Sequence, residues 1–493
     1  MSRSVSNSFG LHGVLGLVVA GVLLTCVARA QPLVGPQIRI DNDGGTFAAN
    51  ETTLSSTDLY PSEVVAGWND YRDGPGTVRV GVALSLDGGR TWTDFLLRPP
   101  PPYRANVEGD PMTVYDNRTG TLWAGGISFA GNGGVFAARK DPGQATFEPT
   151  VMTHVSGYAD KGWMAAGIAP GNPDTTRVYV AFNEGLQVST DMGDTWTSPL
   201  YLAYGLGFLP RVGPAGEVYV AYWDLGYGMM LRRSLNGGGS FGSPITIATR
   251  MDAWNMYDPP TPGTFRLPIL CYLAVDPNNG NVYSVYFDTT DMDGGNRNVD
   301  LYFTSSYDQG ASWATPWVIN GDSDPPGDQF FPWIEVDQRG RIHLLFYDTR
   351  NTPQNDWDDE AFVDAYYAYS DDEGNTWTEH RLTPNAFNSE DDGRPSSPPS
   401  FIGDYSGLGV GGSRAFPCYL SNQNGDSDIF IHRIVDPPGD LDGNCVVDQG
   451  DLGILLGDWG CIGAGCPGDA DGDGDTDHSD LGVLLTSWGQ SCW

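Results

Sequence analysis

Residues 85–92 read SLDGGRTW, and this eight-residue pattern recurs along the chain. Clear copies are STDMGDTW at 189–196, SYDQGASW at 306–313 and SDDEGNTW at 370–377, and SLNGGGSF at 234–241 is a degenerate copy. In such a turn the short acidic side chain accepts hydrogen bonds from backbone amides, glycine adopts a positive φ, and tryptophan covers the hairpin. The pattern predicts a repeated β-hairpin whose aspartates are structural.

A second repeat consists of an apolar strand, an Asp/Asn/Gly turn and an aromatic-rich strand. It occurs at 114–129, 210–224, 274–288 and 335–348. Four short strands per unit, repeated along a chain, are typical of a β-propeller. We therefore predict an all-β fold with units at 50–98, 108–155, 160–203, 206–248, 266–320 and 328–385, and a seventh at 400–435 that the segment 37–40 completes. Seven blades is the preferred count, and six is the alternative.

The eight-residue pattern is the Asp-box (BNR repeat), and residues 31–435 resemble the Asp-box β-propellers that include the sialidases. The resemblance implies six blades. Strand alternation places the Asp-boxes on the face opposite any site at the mouth of the ring. The resemblance also implies three arginines around a substrate carboxylate, a tyrosine nucleophile with a glutamate partner, and an aspartate acid. Arg72, Arg211 and Arg350 lie on suitable loops, Tyr405 matches the nucleophile, and Glu108 matches its partner.

The composition narrows the classes of function. Lys and Arg number 26 against 62 Asp and Glu, for a formal net charge of −36. Such a field repels polyanions, so the sequence argues against a nucleic-acid partner. Hydrophobic residues make up 40% of the chain, which is enough for a large core and excludes global disorder.

The N-terminus has the features of a signal peptide. Arg3 precedes an apolar stretch at 14–25, and an A-x-A cleavage motif follows at 28–30. We expect residues 1–30 to be removed, the mature chain to be secreted or held at the cell surface, and no transmembrane span to follow. Six of the seven cysteines remain after this segment, and an even count in a secreted chain predicts disulfides of undetermined connectivity.

The tail changes composition abruptly: residues 436–493 hold twelve Asp and no Lys, Arg or Glu. GDLDGNCVVDQGDLGILLGDWG at 439–460 and GDADGDGDTDHSDLGVLLTSWG at 468–489 are two copies of one loop–helix unit. Hard cations such as Ca²⁺ take oxygen ligands at this loop spacing. The predicted ligands of two Ca²⁺ ions are Asp440, Asp442, Asn444, Val446 (backbone), Asp448 and Asp451, and then Asp469, Asp471, Asp473, Asp475 (backbone), Asp477 and Asp480.

The paired unit at 439–493 resembles a type I dockerin module. Cys445 departs from the pattern because it stands where the loop requires glycine, whereas the second copy has Gly474. The resemblance implies attachment to a cohesin-like partner, with a surface-sorting tail as the alternative.

Strand alternation predicts which residues gather at the mouth of the ring. The predicted catalytic residues are Asp348, Asp328, Asp404, Tyr405, Asp110 and Glu108, and the predicted substrate-binding residues are Arg350, Arg72, Arg211, Asp160 and Lys161. Paired carboxylates perform acid/base chemistry on glycosidic bonds. An aspartate at a strand start also serves simply to cap backbone amides.

Three functions agree with this pattern. The first is a secreted, sialidase-like glycoside hydrolase that acts on a glycan or polysaccharide. The second is a non-catalytic propeller that binds a glycan or a protein, and the third is a cell-surface scaffold. Fold resemblance alone does not choose among them.

Overall fold

The structure is a computed structural model, and it describes residues 31–44, 47–74, 77–100, 107–129, 133–251, 254–257, 261, 263–289, 298–321, 327–351, 361–391, 400–463 and 465–491. The predicted signal segment 1–30 lies outside the described residues. Neither helix of the described part is long and apolar enough to cross a membrane.

The fold is all-β up to the acidic tail, as predicted. In chain order the strands are β1 (Leu33–Arg39), β2 (Ala49–Ser55), β3 (Val64–Asp70), β4 (Arg79–Ser85), β5 (Thr93–Leu96), β6 (Gly109–Tyr115), β7 (Leu122–Ile127), β8 (Gly134–Lys140), β9 (Val151–Val155), β10 (Trp163–Ala169), β11 (Asn172–Phe182), β12 (Gly185–Ser189), β13 (Leu206–Val212), β14 (Val218–Trp223), β15 (Gly228–Ser234), β16 (Ile245–Thr249), β17 (Tyr272–Val275), β18 (Val282–Thr289), β19 (Val299–Ser306), β20 (Trp317–Val318), β21 (Gln329–Val336), β22 (Ile342–Asp348), β23 (Phe362–Ser370), β24 (Thr378–Arg381), β25 (Phe387–Asn388), β26 (Gly407–Gly411), β27 (Arg414–Ser421) and β28 (Asp428–Val435).

The described strands form seven antiparallel sheets. The first to sixth sheets are β2–β5, β6–β9, β10–β12, β13–β16, β17–β20 and β21–β24, and the seventh has the order β1-β28-β27-β26. The innermost strands β2, β6, β10, β13, β17, β21 and β26 contact one another in turn, and β26 contacts β2 again. The sheets therefore close into a ring around an axis, which is the architecture of a β-propeller.

The N-terminal strand completes the last sheet of the ring. β1 pairs antiparallel with β28, from Leu33 opposite Val435 to Arg39 opposite Phe430. The outer edge of the seventh sheet is thus supplied from the opposite end of the chain, as predicted for segment 37–40. This pairing joins the two ends of the ring-forming segment within one sheet.

The Asp-boxes of the first, fourth, fifth and sixth sheets connect the third strand to the fourth, and the copy at 189–196 follows β12, the last strand of the third sheet. Asp308 shows the contacts: its carboxylate accepts hydrogen bonds from the Ser306 hydroxyl at 2.8 Å, from the Ser312 amide at 2.8 Å and from the Ser312 hydroxyl at 2.6 Å. In the degenerate copy the Asn236 side-chain oxygen accepts the equivalent bonds from Ser234 and Ser240. The aspartate therefore holds the turn, and its role is structural.

These contacts predict the effect of substitution at Asp308. The hydrogen bonds from Ser312 lower the pKa of Asp308 to about 2. Its contribution to stability is therefore present above the ordinary carboxyl pKa and is lost as the pH falls towards 2. Asp308→Ala should cost about 1 kcal/mol in urea unfolding at pH 7, whereas Asp308→Asn should cost much less, since Asn236 already performs this task. Equal losses in both variants would contradict the structural role.

The connections divide the ring into two faces. The innermost strands begin at one end of the axis, which we call the mouth face, together with the loops that follow the second strands. The Asp-boxes lie at the other end, which we call the Asp-box face. The predicted separation between the Asp-boxes and the mouth therefore holds in the structure.

The acidic tail forms a small helical unit that packs on the Asp-box face. Its helices are α1 (Gln449–Gly457) and α2 (His478–Thr486), which contact each other around Leu455 and Leu484. Arg414 of the ring donates a hydrogen bond to the Leu441 carbonyl at 2.9 Å, and Arg90 donates one to the Pro467 carbonyl at 2.9 Å.

The junction between ring and tail is also tightly held. Arg339 donates to the Asp436 carboxylate at 2.8 Å, and Arg341 contacts the same carboxylate. The acidic tail therefore begins at a residue, Asp436, that is bound to the sixth sheet of the ring.

The cysteines behave differently in the two parts. Cys461 and Cys466 form a disulfide in the tail, and Cys445 is also disulfide-bonded. Cys271 and Cys418 are free, buried thiols in the fifth and seventh sheets. The disulfide expectation thus holds in the tail but not in the body, where the two thiols belong to different sheets.

Candidate functional site at the mouth

Three charged residues at the mouth adopt a left-handed backbone conformation. Glu51, Asp110 and Lys161 have φ values of 54°, 48° and 50°. The first two also coincide with shifts in the pairing register of β2 and β6. A bulge re-aims the side chain it carries, and non-glycine residues held in this region often mark functional sites.

These side chains meet around one buried ammonium ion. Lys161 Nζ lies 3.0 Å from Glu51 Oε1, 2.5 Å from Asp404 Oδ2 and 3.8 Å from Asp110 Oδ1. The Lys161 amide also donates to Asp110 Oδ2 at 2.6 Å. Carboxyl groups from the first, second and seventh sheets therefore converge on a lysine that precedes the third sheet. We call Glu51, Asp110, Lys161 and Asp404 the axial cluster.

Arg266 covers the axial cluster. Its Nε donates to Asp404 Oδ1 at 2.7 Å, and its Nη2 lies 2.5 Å from Asp404 Oδ2 and 4.0 Å from Glu51 Oε1. The guanidinium also stacks on Phe401, with 4.6 Å between its carbon and the ring centroid. The Arg266 side chain is 28% exposed, whereas those of Glu51 and Asp404 are 2% and 1% exposed. Arg266 therefore lies between the carboxyl groups and solvent.

The balance of charge gives the carboxyl groups different protonation states. Three carboxyls face two cations, so the fully ionised cluster carries one surplus negative charge. Burial, with Asp404 and Asp110 nearby, raises the pKa of Glu51 to about 8 although Lys161 opposes the shift. Burial also disfavours ionisation of Asp404, but Lys161 and Arg266 outweigh it and lower the Asp404 pKa. The site therefore pairs a protonated Glu51 with an ionised Asp404 at neutral pH.

An aromatic layer underlies the axial cluster. The Tyr405 ring lies 5.4 Å from Lys161 Nζ and 5.2 Å from the Trp163 ring, and Trp163 in turn contacts Trp333 at 6.2 Å between centroids. Burial raises the pKa of Tyr405 well above its ordinary value. The hydroxyl thus stays protonated, which disfavours the nucleophile role that the sialidase resemblance implies for Tyr405.

Five predicted residues are brought together here: Asp110, Asp160, Lys161, Asp404 and Tyr405. Asp160 is half-buried at the edge of the group, and burial together with Asp110 raises its pKa. Its backbone amide donates to the Asn183 side chain at 3.0 Å.

Two predicted arginines are engaged away from the axial cluster. Arg72 Nη2 lies 2.5 Å from Asp94 Oδ2 in β5. Arg350 Nε donates to Asp348 Oδ2 at 2.8 Å, and its Nη1 donates to Glu379 Oε2 at 2.9 Å in β24. Each arginine thus joins the end of a second strand to the fourth strand of its own sheet. The structure thus pairs Arg72, Arg350 and Asp348 within their own sheets, and their substrate-binding and catalytic roles stay predictions.

Two predicted carboxyls cap backbone groups. Asp328 Oδ1 accepts the Val299 amide at 2.8 Å. Glu108 Oε2 accepts the Phe129 amide at 2.5 Å and the Ser128 hydroxyl at 3.1 Å. Both side chains hold neighbouring strands or loops in place. Their catalytic roles stay predictions.

The prediction placed Arg211 at the wrong end of the axis. It lies near the end of β13, where its Nε donates to the Leu273 carbonyl at 2.8 Å and its Nη2 pairs with Glu335 Oε1 at 2.7 Å. Arg211 and Glu335 line a cavity of about 210 Å³ along the axis, bounded also by Trp163 and Trp333. Arg72, Arg211 and Arg350 consequently do not form an arginine triad.

Sequence reasoning missed Glu51 and Arg266. A signal for Glu51 exists, because Asn50–Glu51 opens its unit as Gly109–Asp110 and Asp160–Lys161 open theirs. Arg266 lies in the long connection between β16 and β17, and no repeat marks it.

The two tail loops repeat one hydrogen-bond pattern. In the first, Asp451 Oδ1 accepts the amides of Leu441 and Asp442 at 2.7 and 3.1 Å. In the second, Asp480 Oδ1 accepts the amides of Ala470 and Asp471 at 2.6 and 3.1 Å. The last carboxylate of each loop therefore binds backbone amides near the start of the same loop.

The donor atoms fit a hard cation. Carboxylate oxygens of Asp440, Asp442 and Asp451 lie within 4.8 Å of one another, and so do those of Asp469, Asp471 and Asp480. Cys445 has φ 69° where Gly474 has φ 95°, so the first loop makes the same turn at a cost that glycine avoids.

Comparison with known proteins gives similarity of fold only. No family model and no curated protein matches the sequence. Among solved structures, a Hadza microbial sialidase (Hz136) is 16% identical with a TM-score of 0.40, and the match covers 60% of this chain and 63% of that chain, less than two thirds of its length.

Two other solved structures are covered almost completely. An α-L-arabinanase of Penicillium chrysogenum is 14% identical with a TM-score of 0.42, and the match covers 82% of this chain and 99% of that chain. A six-bladed β-propeller lectin of Aleuria aurantia is 12% identical with a TM-score of 0.40, over 69% of this chain and 96% of that chain.

Proposed function

We propose that the chain is an exported glycoside hydrolase with a seven-bladed propeller, and that its reaction takes place at the axial cluster. The observation that carries the proposal is the convergence of two carboxyl groups on one ammonium ion, with Lys161 Nζ 3.0 Å from Glu51 Oε1 and 2.5 Å from Asp404 Oδ2. Burial raises the pKa of Glu51, whereas Lys161 and Arg266 lower that of Asp404, so Glu51 is the carboxyl that keeps its proton to the higher pH. Environments that shift the pKa values of two neighbouring carboxyls in opposite directions identify a general acid and its ionised partner.

The roles follow from protonation. Glu51 donates its proton to the glycosidic oxygen as the bond to the leaving sugar breaks. Asp404 attacks the anomeric carbon and forms a glycosyl ester. Glu51, now ionised, takes a proton from water, whose oxygen cleaves the ester and restores both groups. Because both carboxyls touch Lys161, they are close enough for the retaining route, which needs a separation of about 5 Å.

The test is release of sugar from a panel of neutral polysaccharides, acidic polysaccharides and sialosides. Glu51→Gln should lower kcat/KM by about 10²–10⁴-fold because the acid is removed. Wild-type activity should also fall as the pH rises through about 8, where Glu51 loses its proton.

Glu335→Gln is the matched control. Glu335 is a half-buried carboxyl whose pKa is raised by burial although Arg211 lies beside it, and it lies in the axial cavity away from Glu51. Full activity in Glu51→Gln, or an equal loss in Glu335→Gln, would disprove the assignment.

A second candidate is a glycan-binding propeller without catalysis. The near-complete burial of Glu51 and Asp404 favours it, because a closed ion cluster also stabilises the centre of a ring. Binding without release of sugar across the whole panel would select it.

For the tail we propose two Ca²⁺ ions and attachment to a partner. Asp440, Asp442 and Asp451 would hold one ion and Asp469, Asp471 and Asp480 the other, with the remaining predicted oxygens completing each shell. Bound Ca²⁺ supplies positive charge to loops that otherwise repel themselves. The two helices also expose equivalent apolar residues, Leu456 with Trp459 and Leu485 with Trp488, which a cohesin-like partner would cover.

A further inference from the structure

The mouth face carries a concentration of exposed aromatic side chains. Between 54% and 82% of the surface of each is exposed, and they belong to the loops of the second to fifth sheets: Phe129, Tyr158, Tyr201, Tyr204, Tyr227 and Tyr257. In the described part of the ring, the other two exposed aromatics, Tyr60 and Tyr307, lie on the Asp-box face. We call the six residues the aromatic arc.

The aromatic arc adjoins the axial cluster at three points. The Phe129 ring packs against Gly109, the residue before Asp110. Tyr158 is two residues before Asp160. Tyr257 lies in the connection between β16 and β17, which also carries Arg266. The exposed rings therefore lead outward from the proposed reaction site.

Such a surface indicates a ligand. Single exposed aromatics need no explanation, but a group on one sector of one face marks an interaction site. Five of the six are tyrosines, which present an apolar ring and a hydroxyl together. A sugar ring has the matching character, with an apolar face of C–H bonds and hydroxyls around its edge.

Charge decides the class of glycan. The chain carries a formal charge of −36, which repels a polyanionic ligand. The arginines predicted to receive a sugar carboxylate are paired with Asp94, with Glu335, and with Asp348 and Glu379. Acidic glycans thus meet repulsion without a compensating cation cluster in the described part of the mouth.

We infer that the aromatic arc binds a chain of several neutral sugars and places one of its glycosidic bonds at Glu51 and Asp404. This inference rests on the proposed function and specifies its substrate as a neutral polysaccharide, in place of the sialosides that the sequence resemblance implies. The arc extends over several sheets, so a single sugar unit does not occupy it.

The test measures binding by the full chain in the Glu51→Gln background, which prevents turnover. Xylan, mixed-linkage β-glucan and galactomannan serve as neutral chains, and polygalacturonate and polysialic acid serve as acidic chains, in affinity electrophoresis and calorimetry. At least one neutral chain should bind, and the acidic chains should bind more weakly. Tyr158→Ala and Tyr204→Ala should each weaken the neutral complex by about tenfold.

Tyr307→Ala is the matched control, because Tyr307 is 59% exposed on an Asp-box. It should bind like the parent. Affinities of Tyr158→Ala and Tyr204→Ala equal to that of Tyr307→Ala, a preference for acidic chains, or no binding to any neutral chain would overturn the inference. Thermal unfolding of each variant checks that the ring is intact.

The failure of this inference is distinguishable from failure of the proposed function. Sugar release by the wild type that is unaffected by the tyrosine variants would overturn the aromatic arc and leave the hydrolase. Binding that depends on the tyrosines, without sugar release by the wild type, would overturn the hydrolase and leave the aromatic arc.

Discussion

Lys161→Met is expected to lower the free energy of unfolding by about 3–5 kcal/mol, because breaking a buried ion pair leaves an uncompensated charge in the interior. The Lys161 side chain is 6% exposed and contacts Glu51, Asp110 and Asp404. Without the ammonium, the buried Asp404 carboxylate keeps Arg266 but loses its contact with a second cation. Urea unfolding followed by tryptophan fluorescence at pH 7 measures the loss.

The deficit should shrink as the pH falls. Lys161 helps to lower the pKa of Asp404, so this pKa rises in Lys161→Met. Protonation of Asp404 in the acid range then removes the buried negative charge, and the variant approaches the wild type. A deficit that grows on acidification would contradict this electrostatic origin.

Lys140→Met is the matched control, since Lys140 is the other lysine of the chain. It is also buried, and its Nζ lies 2.7 Å from Glu63 Oε2. Only one carboxylate depends on it, so the loss should be smaller than in Lys161→Met. If both variants lost the same free energy of unfolding, the axial cluster would contribute no more to stability than a single buried ion pair.

The second large effect is expected for Ca²⁺ binding to the two loops of the tail. Calorimetry of the wild-type chain is expected to show two Ca²⁺ sites, and Asp471→Ala should remove the site of the second loop. Asp442→Ala, at the same position of the first loop, should remove the other. The near-ultraviolet circular dichroism of Trp459 and Trp488 should change when EGTA removes the Ca²⁺ ions. The reason is that folding of the two helices is coupled to Ca²⁺ binding in the loops that precede them.

The first loop should be the weaker site. Cys445 holds a left-handed conformation there, where the second loop has Gly474. Asp174→Ala, an exposed aspartate of the ring, controls for the loss of a surface charge and should retain both sites. Unchanged stoichiometry in both Asp471→Ala and Asp442→Ala would contradict the ligand assignment.

Local patterns were predictable because their physics is local. The Asp-box turns are held by hydrogen bonds within a few residues, as between Asp308 and Ser312, so eight residues suffice to recognise them. The tail loops are similar, because Asp480 closes a loop that begins at Asp469.

Candidate site residues were less predictable because their direction depends on bulges and strand length. Asp348 was predicted to face the axis, but it turns to Arg350 two residues away. Arg211 lies five residues beyond the start of β13 and therefore reaches the axial cavity near the other face. A shift of this size along a strand moves a side chain from one end of the axis towards the other.

The sequence by itself determined the repeated hairpins, the all-β class, the acidic tail and the positions of Asp110, Lys161 and Asp404 at strand starts, since each depends on neighbours in the chain. Only the tertiary structure decided that Glu51 and Arg266 join them and that the three predicted arginines stay apart. The physical reason is that the axial cluster and Arg266 come from segments that are far apart in the chain. Closure of the ring brings Glu51, Asp110 and Asp404 to Lys161, and Arg266 to Asp404.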